Sequence, residues 1–158
     1  MNPKIPSLTH AAFAIGLALL FLNAGMDKFK NPNPGRVSQK LIQSNLVEEQ
    51  NFNAPVGYWV MMNSMKKSGF LKVIGVLQIL SAGLIFIPRT RLVGLLLLMP
   101  VTVNIFLLHL FLDNRPFENV QTGIFLGINL MLVLYYIDRL KYFLMKSSEI
   151  GKMKLSSS

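Results

Sequence analysis

Apolar residues in this chain gather into four blocks, divided by one long polar segment and two short breaks. The most continuous block is RLVGLLLLMPVTVNIFLLHLFLD, from Arg91 to Asp113, which carries no formal charge between Leu92 and Leu112. A hydrocarbon core about 30 Å thick is crossed by roughly 20 mostly apolar residues rising 1.5 Å each, so this stretch is long enough to span a bilayer as a helix. The whole pattern predicts crossings over about 8–29, 69–87, 91–112 and 121–142, with a polar loop over 30–68 and tight turns at IPRTR and DNRPFEN. Connections that short make consecutive crossings antiparallel neighbours. The expected fold is all-α: an integral membrane protein, a four-transmembrane-helix bundle forming a single domain over 1–158.

Within each block the polar and small residues add detail. The first block follows Lys4 as a signal peptide would. It is longer than a usual h-region, and AFAIG and LNAGM match a small-x-small cleavage site poorly, so an uncleaved crossing is expected. Ala12 and Gly16 offer it a close-packing surface, and Asn23 and Asp27, followed by Lys28, share one face near its end. In the loop, NPNPG is a turn cluster and Val37, Leu41 and Ile42 have helical spacing. APVGYWVMMNSMKK combines Tyr58, Trp59 and three methionines with Lys66 and Lys67, which predicts a helix lying in the membrane interface; the alternative is an ordered loop that covers the bundle. Gly75, Gln78 and Ala82 share a face of the second crossing and predict a helix–helix contact. Pro100 predicts a kink in the third. Gly123-x-x-x-Gly127 in the fourth is a helix-approach motif, and a homo-oligomer through Gly123 and Gly127 is one expected use of it.

Composition agrees with this reading and narrows it. The 158 residues are 52% hydrophobic, above the range of ordinary soluble domains. The net charge of +9 comes from Lys and Arg flanking apolar blocks, where anionic headgroups lie, which argues for a lipid bilayer as partner and against nucleic acid. The chain has no Cys, which excludes disulfides, thiolate nucleophiles and thiolate metal sites. The 16 Lys and Arg residues divide equally between the two sides, so the compact basic tail and the Arg89/Arg91 turn tip the expected orientation toward cytoplasmic termini.

Antiparallel crossings bring one set of polar residues to a single membrane face. Asn23, Asp27 and Lys28 end the first crossing, His109 and Asp113 end the third, and Gln121 begins the fourth. His109 and Asp113 stand four residues apart on one helical face, whereas Asn104 belongs to a different one. The functional reading is a half-buried pocket formed by Asn23, Asp27, Lys28, His109 and Asp113. There His109 exchanges a proton with a bound headgroup such as a quinone, or donates a hydrogen bond to it, and Asp27 or Asp113 sets its tautomer. The plainer reading has these side chains snorkelling to water and His109 as packing. One histidine with carboxylates is a poor transition-metal site, because His10 begins the first crossing at the opposite face. No metal is expected.

GLALLFLNAGMDKFK, IGVLQILSAGLIFIPRTRLVGLLLL and LLHLFLD together resemble the DoxX family of small bacterial membrane proteins. The likeness covers about 15–29 and 71–113, and the fourth crossing only in outline; the long first loop is bulkier than the family pattern. The resemblance implies a four-helix bundle in the bacterial inner membrane. It also implies a place as membrane subunit beside a quinone-linked oxidoreductase, with a redox partner and quinone as the expected cofactor. It supplies no catalytic motif, so no catalytic residue is assigned. The expected function is therefore a DoxX-like membrane subunit holding a quinone or lipid-like ligand. The alternative is a small scaffold or chaperone for membrane or exported proteins.

Overall fold

The computed structural model describes residues 8–30, 56–113 and 115–142. They form α1 (Leu8–Lys30), α2 (Val56–Lys67), α3 (Phe70–Phe86), α4 (Arg91–Leu112) and α5 (Pro116–Leu134), followed by a helical turn over 137–142. No strand occurs among the described residues. Helices α1, α4 and α5 are each long and apolar enough to cross a membrane. The 17-residue α3 joins them only if it is counted with α2 as one bent span. Its own length, about 25 Å at the helical rise, falls short of a full hydrocarbon core.

The local chemistry explains where these helices begin and end. Gly69 separates α2 from α3 with φ at 78°, a left-handed conformation that glycine adopts without steric cost, and the two helices bend by 81° there. Between α3 and α4, Thr90 Oγ1 donates to the Leu84 carbonyl at 2.9 Å and Arg91 Nε donates to the Ile85 carbonyl at 3.0 Å. These bonds satisfy carbonyls that α3 cannot pair within itself. Arg91 is thereby a buried residue, not the headgroup-level charge its flanking position suggests. At the start of α5, Pro116 occupies the first turn, where its missing N–H costs nothing, and Glu118 meets the positive end of the helix dipole. Helix α5 therefore starts five residues before the expected 121. It then tightens at Tyr135 and Tyr136, where the Tyr136 amide bonds the Val133 carbonyl three residues back.

Helix α1 packs along α3, α3 on α4 and α4 on α5, and α5 returns to α1 through a looser contact. The shared core contains Leu17 and Phe21 of α1, Ile85 of α3, Leu95 and Leu98 of α4, and Leu132 of α5. Two crossings depend on glycine. A Cβ on Gly25 would lie 2.9 Å from the Gly75 carbonyl oxygen, and one on Gly94 would lie 2.7 Å from the Ser81 carbonyl oxygen. The expected contact face of the second crossing is this one, with Gly75, Gln78 and Ala82 all buried. Gly123 lies against the Phe106 ring within the chain, whereas Gly127 and Gly16 open onto unfilled space.

The outside of the molecule is apolar. Phe111, Phe117 and Met131 are 74%, 76% and 74% exposed, and Phe13, Val73, Leu80 and Val93 also face outward. Meanwhile Gln78, Ser81, Thr102, Thr122 and Asn129 are buried. A water-soluble domain keeps large apolar side chains off its surface in such numbers, and polar side chains out of its core unless paired. Apolar outside and polar within suits a lipid solvent, and the fold is compatible with a multi-pass membrane protein. The NPNPG turn, the expected helix near Val37 and Leu41, and the basic tail lie outside the described residues.

Candidate functional site: a polar cavity between the helices

The C-terminal half of α1, the middle of α3, the second half of α4 and the first half of α5 border a partly open cavity of about 350 Å³. Leu20, Phe21, Ile105 and Phe125 form its apolar wall, and Asn23, Gln78, Thr102, Gln121 and Thr122 bring hydrogen-bonding groups. The volume lies at the lower end of small-molecule sites, which combine an apolar lining with a few convergent polar groups.

Gln78 is the residue that sets this cavity apart. It is 1% exposed, and among the described residues neither its amide nitrogen nor its oxygen has a hydrogen-bond partner. A buried amide without a partner costs roughly 2–7 kcal/mol depending on the reference medium, so an unmet pair on one side chain needs a reason. Across the cavity the hydroxyl of Thr102 donates to the Met99 carbonyl at 2.9 Å and accepts from Asn129 Nδ2 at 3.2 Å. The Thr122 hydroxyl donates to the Glu118 carbonyl at 2.8 Å. These hydroxyls have satisfied their donors, so what they offer inward is acceptor capacity. Gln78 offers both donor and acceptor.

The five residues expected to share a pocket divide between two places. Asn23, Asp27 and Lys28 line the cavity. Lys28 Nζ turns back to the Ala24 carbonyl at 3.2 Å, while Asp27 accepts from Lys30 Nζ at 2.8 Å. Asp27 is 56% exposed and so is a rim residue, not a buried partner for an imidazole. The i, i+3 spacing to Lys30 explains this, because a nearby cation on the same helix captures the carboxylate first.

His109 and Asp113 form a separate cluster at the same end. His109 Nδ1 donates to Asp113 Oδ2 at 2.8 Å, and Arg115 grips the same carboxylate through Nε at 2.8 Å and Nη2 at 2.7 Å. Asp113 is fully buried by these partners. The Arg115 guanidinium, opposing the effect of burial, holds its carboxyl below the usual carboxylate range, and the His109 bond adds to this. The Tyr58 ring of α2 lies 5.3 Å from the His109 ring and 5.7 Å from the Arg115 guanidinium carbon. Burial, with the nearby Asp113 charge, pushes the Tyr58 phenol up, so it stays a neutral donor at pH 7. With Nδ1 engaged, Nε2 is the His109 nitrogen left to meet a ligand or water. His109 shares a helical face with Thr102 and Ile105, one turn beyond the cavity wall.

Sequence reasoning placed Asp113, not only Asp27, as a holder of His109, and the pairing is the i, i+4 contact it described. It missed Gln78, Thr102 and Thr122 as cavity residues. The signal for Gln78 is an amide in the middle of an apolar helix; the residue lies on the expected contact face beside Gly25 and also borders the cavity. Asn104 donates to the Pro100 carbonyl at 2.8 Å on an exposed face, away from the cavity. His10 lies at the opposite end, its Nε2 3.3 Å from the Leu132 carbonyl and its ring against Tyr135 and Tyr136. Among the described residues no three His, Asp or Glu stand close enough together to hold a metal ion. No family model, curated protein or solved structure matches this chain.

Proposed function

We propose that this chain is a DoxX-like subunit of the bacterial inner membrane, a four-transmembrane-helix bundle that holds a quinone or similar lipid-like ligand and serves a redox partner protein. The observation that carries this reading is the buried, unpartnered Gln78 amide on the wall of a cavity that sets apolar side chains beside uncharged hydrogen-bonding ones. A compact uncharged head with carbonyl or hydroxyl groups meets both of its atoms, with Thr102 and Thr122 as further acceptors. Reduction of such a head takes two electrons and two protons; His109, oriented by Asp113 one turn past Ile105, is placed to pass protons between water and the cavity mouth. The two electrons are assigned to the redox partner; with no Cys, this chain has no thiol pair to supply them. The bend of 81° between α2 and α3 supports an interfacial α2, since a helix nearly perpendicular to a spanning neighbour lies in the membrane plane.

The test is extraction of ligand from mildly solubilised protein, read by absorbance and mass spectrometry, in wild type, Gln78→Leu and His109→Ala. Leucine keeps the volume and removes both hydrogen-bonding atoms. Wild type is expected to carry near-stoichiometric quinone, and Gln78→Leu about tenfold less, the effect of losing one to two hydrogen bonds. His109→Ala is expected to keep the ligand and lose proton-coupled turnover with the partner. Bulk phospholipid alone in all three proteins would refute the ligand site and leave the scaffold reading in front.

A further inference from the structure

The cavity at Gln78 does not end at its own walls. Three hollows follow one another along the seam between α1 and α5, and their linings overlap. Leu20 borders both the polar cavity and the next hollow, of about 500 Å³. Phe13 and Ile128 border that hollow and a third, of about 300 Å³, which reaches His10 and Tyr135. The seam exists because α5 meets α1 less closely than α1 meets α3 or α4 meets α5. Its middle section is lined by Ala12, Phe13, Gly16, Leu17, Leu20 and Ile128, with no polar side chain. From Asp27 back to Thr9 it follows α1 for about 27 Å at the helical rise, close to the thickness of a hydrocarbon core.

We propose that this seam is the path of the ligand's apolar chain: an amphiphile slips sideways between α1 and α5 from the lipid, seats its head at Gln78 and lays one long hydrocarbon chain past Gly16 toward Tyr135. This rests on the head-binding reading above and adds to it the shape of the ligand and its route. The occupant is a neutral amphiphile with a single long hydrocarbon chain. A phospholipid brings a second chain and a charged phosphate, whereas Gln78, Thr102 and Thr122 at the inner wall carry no charge. Lys28 at the rim is turned to the Ala24 carbonyl beside Asp27. The small residues Ala12 and Gly16 leave room for a chain, and a Cβ on Gly16 would meet nothing within 4 Å.

That open space supplies the test. Gly16→Phe fills the seam without displacing backbone, and Ala12→Leu, one turn away in the same lining, repeats it. Binding of two compounds to purified protein in nanodiscs is compared: a long-chain isoprenoid quinone and the same head without a tail. Both variants are expected to weaken the long-chain compound about tenfold, as forced overpacking does, and to leave the tailless head unchanged. Unchanged affinity for both compounds overturns the chain path while the head site stands. Equal loss of both also overturns it, since the effect is then on the head. Gln78→Leu separates the two ideas: it is expected to weaken both compounds, and wild-type affinity there means that the head reading itself has failed. Recovery of a two-chain phospholipid, displaced by Gly16→Phe, overturns the single-chain assignment.

Discussion

Gly94→Leu is expected to prevent α3 and α4 from docking and to leave little monodisperse protein after solubilisation. A Cβ at this position would stand 2.7 Å from the Ser81 carbonyl oxygen and 2.8 Å from the Ile85 amide nitrogen. Both are backbone atoms within a helix, so neither can move aside as a side chain end would. The crossing must open, and the Thr90 and Arg91 bonds that close the α3–α4 turn open with it. Overpacking of a tight core typically costs about 1–3 kcal/mol, and a clash against backbone belongs at or above the top of that range. Gly83→Leu on α3 is the control, because a Cβ there meets nothing within 4 Å. Thermal unfolding in detergent compares the two. Equal stability of the Gly94 and Gly83 variants would show that the close crossing is not what holds this pair together.

The second large effect is expected at Asp113. The carboxylate is fully buried, with His109 at 2.8 Å and two guanidinium nitrogens at 2.8 and 2.7 Å. Removing one partner of a fully buried ion pair costs about 3–5 kcal/mol. Arg115 is 36% exposed and can turn to water, so Asp113→Ala is placed nearer 2 kcal/mol on that scale. Asp113→Asn isolates the charge. The folded carboxyl titrates below its ordinary value of about 3.9, so its stabilisation is fully present above that value and is lost as pH falls through the depressed folded value. The gap in unfolding temperature between wild type and Asp113→Asn should therefore narrow as pH falls below about 4. A gap that stays constant down to the lowest pH at which the protein folds would mean that shape, not charge, explains the effect. Loss of Asp113 should also release His109 Nδ1, seen as a change in the ring nitrogen shifts in labelled protein.

Much of this architecture is legible in one dimension, and the reasons are specific. Leu92 to Leu112 reads as a helix because its length and lack of charge leave it no other stable form in lipid. IPRTR forces antiparallel neighbours because so short a connection reaches nowhere else. His109 and Asp113 meet because four residues along a helix return to the same face. The start of α5 was harder to place. DNRPFEN looks polar enough to be loop throughout, yet Pro116 begins the helix within it and brings Glu118 onto the first turn.

Periodicity and charge along the chain thus settle which segments are helices, which of them are apolar enough for a membrane, and which side chains meet within one helix. Contacts between helices were decided only by tertiary structure. Asp27 shares an end of the molecule with His109, but Lys30 on its own helix holds it at the rim. Gln78 has the same sequence neighbourhood whether it seals a helix contact or faces a cavity. The close approach of Gly25 to Gly75 and the looser contact of α5 with α1 are what leave its amide at a hollow without a partner. Spacing in sequence fixes angles around one helix axis. The distance and tilt between axes come from packing of many side chains at once, and that is where the cavity arises.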